Sequence, residues 1–389
     1  MKGKINVSYE HLCDFDALYR AHIKARSCKR CKKPIVKFEM DLCYHLQELS
    51  EELKNKRYKI SGYHKFTVFE PKRRQIQALL YRDRVVQHVI CDDYLSDYFS
   101  KRAIYDNSAC RVGKGQVFAL NRLKKFLRSH FNQYGANGYF LKCDILKYFP
   151  SLSHRVIKEK FTPCFADPEM QKMFNYIIDS HVTPKEFLEK YNIPQTHLAD
   201  NGYGKIKEFP IVRGVPIGNQ TSQIIGMYYL DPIDRLIKEK LRIKHYTRYM
   251  DDFLLIHPSK EYLQHCLVEI KNMLENKLFL KLNDKTQIAP LKNGIPYLGW
   301  NLYLLSSGKI IMKVRKSTLK RFKSRIKFIN KFHNTPLINK EKIRCILDSY
   351  KGYLGQGNCY KSYKSILKNL KIGELKERLI DVDKNLLQD

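Results

Sequence analysis

The chain has 389 residues, enough for two or three subdomains with substantial cores, and its 72 Lys plus Arg against 39 Asp plus Glu leave a formal charge of +33. An excess of that size points to a polyanionic partner bound through counterion release from phosphates. No stretch approaches about 18 uninterrupted apolar residues, which excludes a membrane-spanning helix; eleven cysteines without regular spacing, behind no amino-terminal apolar run, argue against a disulfide framework and a secretory signal, so the expected compartment is the reducing cytoplasm.

Residues 10–60 read as helical, because His11 to Lys24 and Phe38 to Leu53 each carry apolar residues at helical intervals. Between them Cys28-x-x-Cys31 lies in a run of cations. Cys13, Cys43 and His45 are the nearest further donors, without recognisable zinc spacing, and a zinc site needs four ligands. Tyr63 to Ala78 alternates before Pro71 and after Arg74, which predicts two strands joined by a basic turn holding Lys72 and Arg74. A helix starts at Tyr81. Asp106 to Gly115 is a loop whose two glycines, beside Arg111 and Lys114, permit close backbone approach to a nucleic-acid strand.

Gly138 to Cys143 is strand-like and delivers Asp144, with a helical pattern resuming from Ser153. Helices are expected to about residue 192 and then a loop or small insertion; the 181–212 region shows no function. Gly214 to Gln223 opens a helix that continues through Tyr228, Leu230 and Ile233. In Tyr249-Met250-Asp251-Asp252 one apolar run arrives at two adjacent carboxylates and a second leaves them, the pattern of a β-hairpin with acid at its turn. Asp-Asp is an ordinary turn dipeptide, but in so apolar a setting two carboxylates are costly unless neutralised, as by a divalent cation. Asp144 offers a third carboxylate from another strand. Three such groups can hold two Mg²⁺ ions, with Mn²⁺ as a substitute, about 3.5–4 Å apart to clamp the attacking and leaving oxygens of a phosphoryl transfer. Lys285 follows in a Leu-Asn-x-x-Lys-Thr segment. Lys313 to Lys327 then carries eight basic residues and no acid, with Leu319, Phe322, Ile326 and Ile329 at helical spacing. It predicts an amphipathic helix with a basic polar face that includes Lys320 and Lys323.

Asp144 to Phe149, Gly214 to Gln223 and the Tyr-Met-Asp-Asp stretch resemble, in order and approximate spacing, the core motifs of reverse transcriptases. The form of Ile217 to Gln223 is similar to that of bacterial diversity-generating retroelement enzymes and defence-associated reverse transcriptases. The resemblance spans roughly residues 10–365. It implies an α+β right-hand polymerase: a helical lead-in over 1–60, fingers over 61–143 together with 155–213, an antiparallel-sheet palm over 144–300, and a basic helical thumb over 301–389.

The resemblance also implies roles. Asp144, Ile145, Asp251 and Asp252 would be metal ligands, and Lys285 would assist the pyrophosphate leaving group. Lys72, Arg74, Phe149 and Gln223 would meet the incoming nucleotide, with the Phe149 ring excluding a 2′-hydroxyl. Arg111, Lys114, Gly218, Tyr249, Met250, Lys320 and Lys323 would contact primer or template. The expected reaction is addition of deoxynucleoside triphosphates on an RNA template, with DNA as product. The template is expected to be a structured non-coding RNA used in antiphage defence, with an accessory protein or a second copy of the chain as further partners. Two alternatives are mutagenic copying in a diversity-generating element and, in another class, a non-catalytic RNA-binding relative.

Overall fold

The structure, a computed structural model, describes residues 3–69, 73–200, 206–335 and 337–372. The amino-terminal helices form where the apolar periodicity places them, but in four pieces: α1 (Tyr9–Cys13), α2 (Phe15–Ala25), α3 (Lys33–Met40) and α4 (Leu42–Lys54). The first break is a cap. Asp14 is extended and its carboxylate accepts the Ala17 N–H at 2.9 Å, satisfying a donor that the first helical turn leaves without a partner. Asp41 leaves the helical region between α3 and α4, so the helix expected over 38–53 starts at Leu42.

Strands β1 (Tyr63–Val68) and β2 (Arg74–Leu79) form the expected hairpin, in register from Tyr63 opposite Leu79 to Val68 opposite Arg74. Helix α5 (Tyr81–Val89) runs through a π-helical stretch into α6 (Ser96–Arg102), and α7 (Gln116–Tyr134) leads to β3 (Tyr139–Cys143). Four helices follow: α8 (Tyr148–Ser151), α9 (His154–Phe161), α10 (Pro168–Asp179) and α11 (Lys185–Lys190). The segment expected as a loop after 192 is instead a hairpin, β4 (Thr196–Asp200) with β5 (Ile206–Pro210). Its polar strands lack the β-branched signal, yet pairing satisfies backbone groups that a loop would leave to water.

Helix α12 (Gln220–Tyr229) is shorter than expected: the chain leaves it at Leu230 and restarts as α13 (Asp231–Arg235) with Pro232 in its first turn. Then come β6 (His245–Tyr249), β7 (Asp252–His257), α14 (Lys260–Lys277), β8 (Gln287–Pro290), β9 (Ile295–Tyr297), β10 (Trp300–Leu304) and β11 (Ile310–Val314). Three helices close the described chain: α15 (Lys316–Phe332), α16 (Lys340–Gly355) and α17 (Tyr360–Leu367). The basic helix expected from Lys313 thus starts at Lys316, because Lys313 is the penultimate residue of β11. Among the described residues no helix is long and apolar enough to cross a membrane.

Strands β6-β7-β3-β8 form one sheet in that order. Both β6 and β7 are buried at nearly every position, so they read as continuous apolar runs rather than alternating ones. The chain divides into two compact units, one of Met1–Ala119, Leu141–Leu255 and Glu261–Gln287, the other of Leu120–Phe140, Ile256–Lys260 and Ile288–Asp389. In the second, β11-β10-β9 form a three-stranded sheet, and α17 packs against both α15 and α16. Phe322 stacks on Tyr350 at 4.2 Å and on Tyr363 at 5.8 Å between ring centroids. The Gly355-Gln356-Gly357-Asn358 stretch closes this unit. The Asn358 N–H and Oδ1 take the Met312 carbonyl and N–H at 2.8 and 2.9 Å, and a Cβ on Gly357 would lie 2.4 Å from the Trp300 ring.

Candidate active site

The site is built in the first unit from the end of β3, the β6–β7 turn, α12 and the 281–286 segment. Asp144 leaves β3 half-buried, and its flanks are fixed by main-chain bonds: Asn283 N–H to the Asp144 carbonyl at 2.8 Å and Leu146 N–H to Lys281 O at 2.9 Å. These two bonds flank Ile145 in its bridge to Leu282, so neither consumes the Ile145 carbonyl, the atom through which that buried residue could serve an ion. The Leu-Asn-x-x-Lys-Thr segment therefore lies against Asp144. Thr286 Oγ1 stands 3.4 Å from the Asp144 nitrogen, while Lys285 is exposed, with its N–H on Asn283 Oδ1 at 3.2 Å.

Met250 and Asp251 make the tight turn between β6 and β7, with Met250 at φ 56, a left-handed conformation uncommon outside glycine. The turn holds Asp251 in a low-dielectric setting. Burial pushes its carboxyl up to about 6; the charges of Asp144 and Asp252 push the same way, against the pull of its own N–H and of Arg74. Asp252 opens β7, the neighbour of β3, so the Asp251–Asp252 turn and Asp144 lie at adjoining strand ends, and Arg74 of β2 is near enough for its charge to act on Asp251. Tyr249 is half-buried beside Cys110 and Gln116, and burial raises its phenol. Lys72 lies outside the described residues.

Lys142 is a residue that the sequence reading missed. Two positions before Asp144 on β3, it shares that residue's face of the strand, and its Nζ lies 3.0 Å from Asp252 Oδ2. A protein cation thus stands beside the carboxylates. Among the described residues no three His, Cys, Asp or Glu side chains are gathered closely enough to enclose a metal by themselves. Mg²⁺ commonly takes one or two carboxylates plus substrate phosphates rather than a dedicated protein cage. Hard oxygen donors, a raised carboxyl and a stand-in ammonium fit an ion shared with a bound triphosphate.

Phe149 is half-exposed and sits edge-on to Tyr148 at 5.5 Å. It packs against α12 at Gly226, where a Cβ would come within 3.0 Å of its ring, and Tyr148 OH donates to the Gly226 carbonyl at 2.6 Å. Gly218 has φ +131, and a Cβ there would meet Ile76 at 3.0 Å. Its neighbours tie it to the β1–β2 hairpin, since Gln77 N–H donates to Ile217 O at 2.9 Å. Gln223 is half-buried, its Oε1 3.7 Å from the Cys110 thiol.

Arg111 and Lys114, expected at primer or template, both bond main-chain carbonyls of their own loop region. The Arg111 guanidinium donates to the carbonyls of Ile104, Asn107 and Ser100, at 2.6, 2.9 and 2.8 Å, which shapes the loop. Lys114 bonds the Tyr105 carbonyl and lies over the Tyr105 ring. In the second unit Lys320 and Lys323 are exposed on α15. Cys28 and Cys31 are free and exposed, with Cys28 at φ 58.

An antiparallel sheet carrying carboxylates at a strand end and a hairpin turn, with a basic hairpin on one side and a basic helical unit after it in the chain, has the elements of a right-hand polymerase fold. The profile of the reverse transcriptase (RNA-dependent DNA polymerase) family matches residues 64–302, and the chain belongs to that family. No curated protein matches the sequence. Similar solved structures include telomerase from Candida albicans with a TWJ fragment of telomeric RNA, 14% identical at a TM-score of 0.45, covering 86% of this chain and 62% of that one. Apo telomerase from Candida tropicalis is 14% identical at 0.44, covering 85% and 59%. A form truncated from the C-terminal domain is 15% identical at 0.40, covering 66% and 55%. This chain spans between 55% and 62% of the length of these structures.

Proposed function

We propose that the chain is an RNA-directed DNA polymerase, in which a primer 3′-hydroxyl attacks the α-phosphate of a deoxynucleoside triphosphate and pyrophosphate leaves. The observation that carries this reading is the match of residues 64–302 to the reverse transcriptase family, with Asp144 at the end of β3 and the Asp251–Asp252 turn at the start of its neighbour β7. Asp144, Asp251, Asp252 and the Ile145 carbonyl would hold two Mg²⁺ ions, or Mn²⁺, which when bound supply Lewis-acid stabilisation of the phosphoryl oxygens. Arg74, at the start of β2, binds triphosphate oxygens in this reading, and Lys72 is proposed to do likewise. In this reading the Phe149 ring, packed against Gly226, would exclude a 2′-hydroxyl. Lys285, exposed on a turn anchored beside Asp144, offers charge to the departing pyrophosphate. Tyr249 and Met250 support the primer end.

The template in this reading is a dedicated structured RNA, gripped by the cationic face of α15. The biological setting in this reading is antiphage defence in bacteria, with mutagenic copying in a diversity-generating element as the alternative; the form of Ile217 to Gln223 is similar to that of both groups. Fingers over 61–143 with 155–213, a palm over 144–300 and a thumb over 301–389 belong to the same proposal. Primer extension on RNA with deoxynucleotides tests the activity: the wild-type chain should extend and Asp251→Asn should not, while both bind nucleic acid. Extension by Asp251→Asn at the wild-type rate would remove the assignment. Sequencing the DNA made in cells distinguishes faithful copying of one RNA from mutagenic copying.

A further inference from the structure

Behind the carboxylate turn lies an ion pair that the mechanism above does not use. Arg248 and Asp234 are both 0% exposed. Arg248 Nε donates to Asp234 Oδ1 at 2.7 Å and Nη2 to Oδ2 at 2.5 Å, the two-pronged geometry that suits guanidinium and carboxylate. Tyr246 OH adds a third bond to Asp234 Oδ1 at 2.6 Å. Burial works against the arginine's charge, but Asp234 outweighs it and holds the group protonated.

The remaining guanidinium bonds leave the pair. Nη1 donates to the Met250 carbonyl at 2.9 Å, inside the turn, and Nη2 to the Met227 carbonyl at 2.9 Å, in the last turn of α12. Asn107 Nδ2 reaches the same Met227 carbonyl at 3.2 Å. The backbone of Arg248 is itself gripped from both sides, its N–H by Asp106 O at 3.1 Å and its carbonyl by the Ser108 N–H at 3.0 Å. We infer that Arg248 is a positioning residue for the proposed reaction: locked by Asp234, it fixes the Asp251–Asp252 turn relative to the helix that carries Gln223 and packs against Phe149.

The competing explanation is that the pair only stabilises the fold. Buried ion pairs are poor at that task, since desolvation consumes most of the attraction and well-packed apolar replacements are often neutral or better. The turn, in contrast, needs such a hold. Met250 occupies a backbone region that non-glycine residues visit at a cost and keep only when surrounding groups over-determine it. A guanidinium on its carbonyl is such a group. Displacement of reacting groups by about 1 Å can cost on the order of a hundredfold in rate.

This inference rests on the polymerase reading, and the test separates the two. The double variant Arg248→Met, Asp234→Leu removes both charges together, leaving no unpaired buried ion. Its melting temperature and its affinity for an RNA–DNA primer-template should stay near wild type. Amide hydrogen exchange across residues 249–252 should quicken at least tenfold while β3 is unchanged, and kcat for single-nucleotide addition should fall about a hundredfold. Arg248→Lys, which keeps the charge pair but cannot span two carbonyls, should show the same pair of effects and serves if the double variant does not fold. Wild-type exchange in the turn, or wild-type kcat despite faster exchange, would overturn the inference. A wild-type chain that extends no primer would instead sink the polymerase reading, and the exchange measurement would still decide whether Arg248 holds the turn.

Discussion

Asp251 links the geometry of the turn to measurable stability. Its carboxyl, raised from 3.8 to about 6, favours the protonated form in the folded chain. The associated stability is therefore present at low pH and is lost as pH rises through about 6. Asn resembles the protonated acid, so Asp251→Asn should stabilise the metal-free protein at neutral pH by about 1 to 3 kcal/mol and have little effect near pH 4. Thermal melts at the two pH values, run in chelator, check this, and equal shifts at both would contradict the burial of the group. Phe149 makes a second residue-scale prediction. Removing its ring in Phe149→Ala should reduce discrimination against ribonucleotides by more than about tenfold, or about 1.4 kcal/mol of differential transition-state binding. Competition between deoxy- and ribonucleotides in single-turnover extension measures it; an unchanged preference would make the ring core packing. Asp251 was conspicuous as acid in an apolar run, whereas Phe149 was singled out only by the resemblance of the Asp144 to Phe149 stretch. Lys142, Asp234 and Arg248 were not legible, because one lysine, one aspartate and one arginine look like surface charge until a fold buries them as partners.

Elements were legible where periodicity is strong and obscured where single residues intervene. The β1–β2 and β6–β7 hairpins and β3 lie where their apolar patterns predict. The break at Asp14 depends on its cap, that at Asp41 on a non-helical backbone there and that at Leu230 on Pro232, none of them on periodicity, and β4–β5 is stabilised by its own ladder. Gly226 shows what an element-level detail can decide. In mid-helix, Gly to Ala ordinarily gains about 1 kcal/mol. Here the new Cβ would press the Phe149 ring at 3.0 Å, and that ring is only partly buried, which leaves it room to tilt. Gly226→Ala should therefore keep or slightly raise the melting temperature while shifting the deoxy-to-ribo preference in the same direction as Phe149→Ala, though less. A large loss of stability with unaltered preference would show that the ring cannot yield and does not face the sugar.

At the scale of the whole molecule the question is how a chain with formal charge +33 distributes that charge. The carboxyl-terminal 89 residues alone carry a net +14, and in the second unit the charge is organised by α15. Its buried face is Thr318, Phe322, Ile326 and Ile329, so the exposed Lys316, Lys320, Lys323 and Lys327, at helical spacings of four, three and four, form one stripe away from the core. Seventeen residues make a helix about 25 Å long, enough to follow several phosphates of an A-form stem, which proteins recognise by backbone and shape. Lys320, Lys323 and Lys327 changed together to Glu should leave the melting temperature within a few degrees, because none of the three belongs to the buried face. RNA affinity should fall steeply at low salt, and the slope of log K against log salt should flatten by about three, one released counterion for each lost phosphate contact. Filter binding of a structured RNA over a salt series, with Asp251→Asn as a control that retains the stripe, measures both quantities. If affinity and slope both match wild type, the stripe is a solvated face and the RNA is held elsewhere on the chain.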